Sequence, residues 1–322
     1  MQYFIFGASG FIGSHLTKLI HQQQPDAKVY NLDLVRSDHD GISTYIPTDV
    51  RNEITLPDGI TPTSDDVVVN LAAIHRTPGH PDYAYFETNI RGAENVTAFA
   101  SKHDIRRMVF TSSIAPYAAS EEEKYETTLP TPNTPYGISK LVAEHIHLEW
   151  QRPNPDRQLT ILRPGVVFGF HENGNFTRLY KSLSRHMFAF PGRKDTIKAC
   201  IYVKDLAGFI LYRIQNHGNG AELFNCTYEP AYTIEHIVSH IKSVTGLKTR
   251  VPLIPSWLLM PAAYCALILG SPMGICPARV RKLMISTNIC GKKMAESGYQ
   301  IQYPLDSAFA DWLKDSGGKE LL

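Results

Sequence analysis

Four large apolar side chains stand in a row at Tyr3-Phe4-Ile5-Phe6, with no polar alternation. That is the pattern of a strand covered on both faces, as in a parallel sheet flanked by helices. The runs Val67-Val68-Val69-Asn70-Leu71-Ala72-Ala73 and Arg107 to Ser113 repeat it. Lys28 to Leu34 and Ile42 to Asp49 predict two further strands, and Thr48-Asp49-Val50 leads into an expected polar helix. Helical stretches separate the strands: Ser14 to Gln24 closed by Pro25, Asn89 to about Lys102, and a helix from Pro135 to about Trp150. Alternating strands and helices predict an α/β protein with a doubly wound parallel sheet. Strands near Leu162 and Leu223 are expected to join it. Residues 1–165, with returning segments near 195–225, form the expected sheet domain, and 166–322 largely a smaller α/β domain.

The turn leaving the first strand carries Gly7, Gly10 and Gly13. The first glycine suits a positive φ, the second lets backbone N–H groups approach a pyrophosphate, and the third lets helix and strand pack closely. A helix N-terminus offers unpaired N–H groups and positive potential to an anion. About twenty residues on, Asp33 ends the second strand; an acid there accepts from ribose hydroxyls and repels a 2′-phosphate, which predicts NAD over NADP. Asp49 stands where a side chain reaches an adenine amino group. Small residues at the end of the Val67–Ala73 run leave space for a ligand across the sheet edge, with His75 and Arg76 in the loop that follows. Tyr136 and Lys140 lie four apart and share a helical face. A tyrosine is a poor base at neutral pH, and a nearby ammonium stabilises its phenolate.

Composition narrows the partners. The 322 residues are 43% hydrophobic and 20% charged with a formal net charge of +1, an ordinary globular balance with no nucleic-acid signature. Small molecules are the expected ligands. Cys200, Cys226, Cys265, Cys276 and Cys290 form no C-x-x-C pair, so neither a disulfide framework nor a metal site is expected, and they read as the reduced thiols of a cytoplasmic protein. The N-terminus enters a strand at once with no basic leader, and no secretory signal is expected.

The glycine turn, Asp33, Asn70-Leu71-Ala72-Ala73, Asn89, Ser113 and Tyr136/Lys140 occur in an order and spacing that resemble the extended short-chain dehydrogenase/reductase family, whose fold is Rossmann-type. The likeness continues through Thr160-Ile161-Leu162-Arg163-Pro164-Gly165-Val166-Val167-Phe168-Gly169 and Ile201-Tyr202-Val203-Lys204-Asp205-Leu206-Ala207. The resemblance implies that Tyr136 is the acid/base, that Lys140 tunes it and that Ser113 binds the reacting oxygen. It implies an NAD site formed by Gly7, Ser9, Gly10, Phe11, Ile12, Gly13, Asp33, Asp49, Val50, Leu71, Ala72, Ala73, His75, Asn89, Thr111, Tyr136, Lys140, Pro164 and Val166.

Within that family the chain is most similar to sugar-nucleotide 4-epimerases, particularly N-acetylhexosamine epimerases of bacterial polysaccharide assembly. This implies a diphosphate-linked sugar substrate, a homodimer, and substrate contacts from His75, Arg76, Ser113, Asn175, Phe190, Lys198 and Arg279. A 4-keto-sugar reductase or dehydrogenase uses the same residues and is the alternative. The dehydratase branch is set aside, because Ile114, Ala115 and Pro116 follow Ser113 and none is a carboxylate. A nucleotide is the favoured carrier, with Phe188 and Phe190 expected to pack on its base, and a polyprenyl diphosphate is the other. The apolar stretch from Trp257 to Leu269 contains Pro261 and falls short of the roughly 20 residues of a bilayer span. It is expected to be a helix packed in the substrate domain, with peripheral membrane contact through 255–270 as the alternative.

Overall fold

The computed structural model describes residues 1–37, 41–75, 79–268 and 283–322. Seven parallel strands form one sheet: β1 (Gln2–Phe6), β2 (Lys28–Asp33), β3 (Thr44–Pro47), β4 (Val67–Asn70), β5 (Arg107–Thr111), β7 (Gln158–Pro164) and β11 (Ala221–Cys226). Their spatial order is β11-β7-β5-β4-β1-β2-β3. The strands expected near Leu162 and Leu223 are therefore in the sheet.

The unalternated strands are explained by two separate cores. Tyr3 and Ile5 of β1, with Val67, Val69 and Val109, pack beneath α1 (Phe11–Gln23) and α6 (Val203–Gln215). Phe4 and Phe6, with Val68, Met108 and Phe110, face the opposite layer of α3 (Arg91–Lys102) and α4 (Pro135–Gln151). All four side chains from Tyr3 to Phe6 are fully buried. At about 1.5–3 kcal/mol per large apolar side chain, β1 is anchored from both sides. A third core gathers later residues, among them Phe168, Phe176, Tyr202, Ile237, Phe309 and Trp312. Around it lie two-stranded pairings of β8 (Val166–Phe168) with β10 (Cys200–Tyr202) and of β9 (Phe190–Pro191) with β12 (Leu253–Ile254).

Helix α4 starts where the sequence places it. Thr134 accepts a hydrogen bond from the Gly137 N–H at 3.1 Å and Pro135 occupies the first turn, a cap that contributes about 1 kcal/mol. Two expectations fail. No helix follows Asp49: residues 52–66 are irregular, broken by Pro57, Gly59 and Pro62, which remove a donor or leave the backbone too free for a helix. The apolar stretch does fold as a helix, α8 (Ser256–Ile268), but no described side chain on it is buried, and Trp257, Leu258 and Tyr264 are exposed. Its apolar residues run all round rather than along one stripe, a pattern that ordinarily belongs to a fully covered helix, so the exposure leaves apolar surface uncovered. Among the described residues no helix is long and apolar enough to cross a membrane.

Gly13 sets how closely α1 lies on β1. A Cβ there would sit 2.5 Å from Ala8 Cα and from the Gly7 carbonyl oxygen. Gly13→Ala is expected to lower stability by about 1–3 kcal/mol, the usual cost of overpacking. Urea unfolding measures it, and an unchanged midpoint would show that the helix moves away freely.

Candidate active site

The strand order reverses between β1 and β4, so the chains leaving their carboxyl ends diverge and open a crevice. Gly7 leaves β1 with φ +82°, and a Cβ on it would meet Ala72 N at 2.9 Å. Its N–H donates to Leu32 O at 2.9 Å, and the Leu71 N–H donates to Phe6 O at 2.9 Å, which fixes the rims of the crevice. Helix α1 begins at Phe11 with no side-chain cap and no acidic residue in its first turn. Its leading N–H groups are thus left for a ligand. Asp33 closes the adjacent strand, its carboxylate accepting from the Ser9 N–H at 3.0 Å and the Val35 N–H at 3.3 Å.

Beyond β3, Asp49 forms a fork with Arg51 at 2.6 Å, and that hydrogen bond holds its carboxyl below the usual range. Val50 is buried beneath Gly92. Asn89 lies in a π-turn, Phe86–Ile90, ahead of α3. Its amide accepts from the Ile74 N–H at 3.0 Å and donates to Ile74 O at 3.2 Å and Ser139 Oγ at 2.9 Å. Asn89 therefore ties the loop after Ala73 to α4. His75 is exposed at the end of that loop.

On α4, Tyr136 and Lys140 face the end of β5. The Tyr136 hydroxyl pairs with that of Ser113, whose Oγ also accepts from the Ala115 N–H at 3.1 Å. Burial of the hydroxyl pushes it up to about 12, and the Ser113 bond acts the other way. Lys140 is buried with its Nζ donating to Thr111 O at 2.7 Å and lying 4.6 Å from the centre of the Phe110 ring. Burial pulls its ammonium down to about 7, while Glu144 acts the other way. Phe110 is stacked at 4.0 Å on His147, which burial holds neutral at about 4. The site thus joins a hydroxyl pair for moving a proton to an ammonium poised near neutrality.

The remaining expected residues are spread more widely. Pro164 ends β7, its carbonyl accepting from the Ile114 N–H at 3.2 Å, and the Val166 N–H donates to Ala199 O at 2.9 Å. Asn175 is exposed at the start of α5 (Asn175–Ser184). Lys198 Nζ donates to Ile285 O at 2.7 Å. Phe190 is buried in the third core, edge-on to Phe188 at 5.5 Å, with Lys194 Nζ 5.4 Å from its ring centre. It has no open face of the kind that packing on a base requires. Arg76 and Arg279 lie outside the described residues.

Two further residues belong to this neighbourhood. Glu144 sits one turn beyond Lys140 and binds Arg163 of β7 through Nε at 2.8 Å and Nη2 at 2.5 Å. The signal was present in the sequence: Glu144 continues the four-residue spacing of Tyr136 and Lys140, and Arg163 is a charge inside an apolar run.

The profile of the NAD dependent epimerase/dehydratase family matches residues 3–227. Across nearly its whole length the chain is similar to an N-acetyl-alpha-D-glucosaminyl-diphospho-ditrans,octacis-undecaprenol 4-epimerase of Escherichia coli O157:H7, 32% identical over 306 residues, or 94% of this chain and 91% of the relative. Solved structures share the fold. The UDP-glucuronic acid 4-epimerase of Bacillus cereus, in complex with NAD, superposes with a TM-score of 0.75 at 20% identity, over 98% of this chain and 99% of that one. The UDP-N-acetylglucosamine 4-epimerase of the same organism gives 0.74 at 19% identity, over 99% and 100%.

The depressed Lys140 makes stability depend on pH. Between about 7 and its ordinary value of 10.5, the unfolded chain keeps a proton that the folded chain has released, so this group's stabilisation is complete above 10.5 and is lost as pH falls toward 7. The wild type is expected to gain stability over Lys140→Met as pH rises from 7 to 10, read from urea midpoints of the cofactor-free proteins. A difference independent of pH would mean that Lys140 titrates normally.

Proposed function

The chain belongs to the NAD dependent epimerase/dehydratase family, and from that premise we propose that it is a 4-epimerase of a diphosphate-linked N-acetylhexosamine. The observation that carries this reading is the Ser113–Tyr136–Lys140 arrangement at the end of β5, its lysine buried and its two hydroxyl residues part-exposed, beside a crevice suited to a dinucleotide.

The residues present fit NAD. The glycine turn has room where a Cβ would strike backbone, the first turn of α1 is uncapped and free of acids, and Asp33 stands where a 2′-phosphate would be repelled. We assign its binding to the residues of that turn, to Asp33, and to Leu71, Ala72, Thr111, Lys140, Pro164 and Val166. Bound there, the cofactor supplies a two-electron acceptor that serves as donor in the return step.

The chain's own groups move the proton. Tyr136 takes the C4 hydroxyl proton of the sugar, and the Lys140 ammonium lowers the free energy of the phenolate as the proton leaves. Ser113 donates to the oxygen at C4 as it becomes a ketone. After the 4-keto sugar turns over in the site, Tyr136 returns its proton to the alkoxide formed on the opposite face. Proton transfer by a positioned side chain accounts for about 10²–10⁴-fold, and burial strengthens each of these contacts.

The carrier we propose is a polyprenyl diphosphate rather than the nucleotide that the sequence alone favours. Three observations support it: the similarity over 94% of the chain to a polyprenyl-diphosphate-sugar epimerase, the burial of Phe188 and Phe190 against each other, and the apolar, exposed α8. Trp257, Leu258 and Tyr264 lie on the bilayer surface in this reading, where an exposed Trp and Tyr suit the headgroup region, so that the enzyme meets a lipid-borne substrate. UDP-linked sugars are the second reading, favoured by the fold shared with UDP-sugar epimerases.

The test is to incubate purified protein, without added cofactor, with polyprenyl-diphosphate-GlcNAc in vesicles and, separately, with UDP-GlcNAc. Interconversion of the lipid-linked sugar with a UDP-sugar rate at least about tenfold lower is expected. Tyr136→Phe should abolish turnover and keep NAD bound. Strict dependence on added NADH and a keto sugar would replace the epimerase by a reductase, and turnover of UDP-GlcNAc alone would replace the carrier.

A further inference from the structure

Helix α4 carries a third residue on the stripe of Tyr136 and Lys140: Glu144, one turn further on and almost wholly buried. Its carboxylate accepts three bonds. Arg163 supplies two as a fork, and Ser112 Oγ donates the third to Oε1 at 2.5 Å. Each partner adjoins a residue of the proposed site. Ser112 precedes Ser113 on the segment leaving β5, and Arg163 precedes Pro164 and the Gly165-Val166 segment that leaves β7. The Glu144 carboxylate is therefore the point at which the elements bearing the acid/base, the substrate hydroxyl and one cofactor wall are joined.

The far side of Arg163 is also occupied. Its guanidinium lies 4.6 Å from the centre of the Tyr117 ring, in the turn that follows Ser113, and the Tyr117 hydroxyl donates to Asn225 Oδ1 on β11 at 3.0 Å. Ser112, Glu144, Arg163, Tyr117 and Asn225 are each at most 3% exposed. Stability gives little reason to keep such a group, because well-packed apolar residues commonly match or exceed a buried ion pair. A bidentate fork does fix orientation, in a way that a hydrocarbon contact does not.

We propose that Glu144 and Arg163 are positioning residues: their buried fork, closed by Ser112, sets the geometry of Tyr136 and Lys140 against Ser113 and the Pro164 segment. The inference rests on the reading of Tyr136, Lys140 and Ser113 as the reacting groups. It assigns the pair no contact with substrate. Its effect belongs to kcat, because a small misplacement of reacting groups slows the chemical step while leaving the distant diphosphate contacts intact.

Three variants test it, assayed on polyprenyl-diphosphate-GlcNAc with kcat and KM determined separately, bound NAD measured by absorbance and Tm by calorimetry. Glu144→Leu/Arg163→Met replaces the pair by apolar volume, Arg163→Lys keeps the charge without the fork, and Ser112→Ala removes one donor. The double variant is expected to fold, keep its NAD and hold KM within about twofold while kcat falls roughly ten- to hundredfold. Arg163→Lys should lie between it and the wild type. Wild-type kcat in the double variant overturns the proposal, as does a loss of kcat that only tracks lost NAD or lost folded protein. If the double variant does not fold, wild-type kcat in both Arg163→Lys and Ser112→Ala overturns it. Tyr136→Phe is run beside them: activity in that variant defeats the underlying reading, whereas an inactive Tyr136→Phe with a fully active double variant defeats only the positioning role.

Discussion

A parallel sheet must be covered on both faces, and here that covering comes from two helical layers packed on opposite sides of β1, β4 and β5. Helix α1 follows β1 outward toward β2 on one face, α3 and α4 follow β4 and β5 outward the other way on the opposite face, and α6, between β7 and β11, crosses back to the layer of α1. The reversal falls between β1 and β4. The crevice is a consequence of coverage, and the glycine turn, the uncapped start of α1 and the small residues after Asn70 are placed at it by the same constraint.

Burial then decides the electrostatics. At the end of β5 the Tyr136 hydroxyl is pushed up and the Lys140 ammonium down, so each approaches its neutral form in the cofactor-free protein. Water removed from this region both penalises isolated charge and strengthens every remaining interaction. A pair that exchanges a proton gains from that arrangement, since little solvent has to reorganise as charge develops on the phenolic oxygen. One turn further along α4, the Glu144 carboxylate meets Arg163 in a buried bidentate fork, where each partner offsets the cost of burying the other.

The sequence was legible where backbone geometry and burial leave a local trace. Tyr3 to Phe6 show the two-sided strand, Gly7 and Gly13 the turn and close packing, and Thr134-Pro135 the start of α4. The trace fails where structure depends on partners far along the chain. The strand Ser120–Lys124 is almost entirely polar and is paired in parallel by Thr287–Ile289, so no periodicity marks it. The π-turn around Asn89 likewise has no composition of its own. Phe190 shows the converse limit: an aromatic side chain was expected to pack on a base, but Phe188, Lys194 and the third core enclose it. Arg163 is a charge inside an apolar run, but its partner is 19 residues away, so nothing local pointed to the pair.

The account holds that the hydrogen on C4 leaves and returns within one closed site while only the hydroxyl proton passes through Tyr136. The most direct measurement follows polyprenyl-diphosphate-GlcNAc deuterated at C4 through complete equilibration in ordinary water, with mass spectrometry of both released sugars. Retention of the deuterium at C4 in both epimers is the predicted result. Loss of the label to solvent would contradict the account, because it would mean that C4 is inverted by exchange of a proton with water.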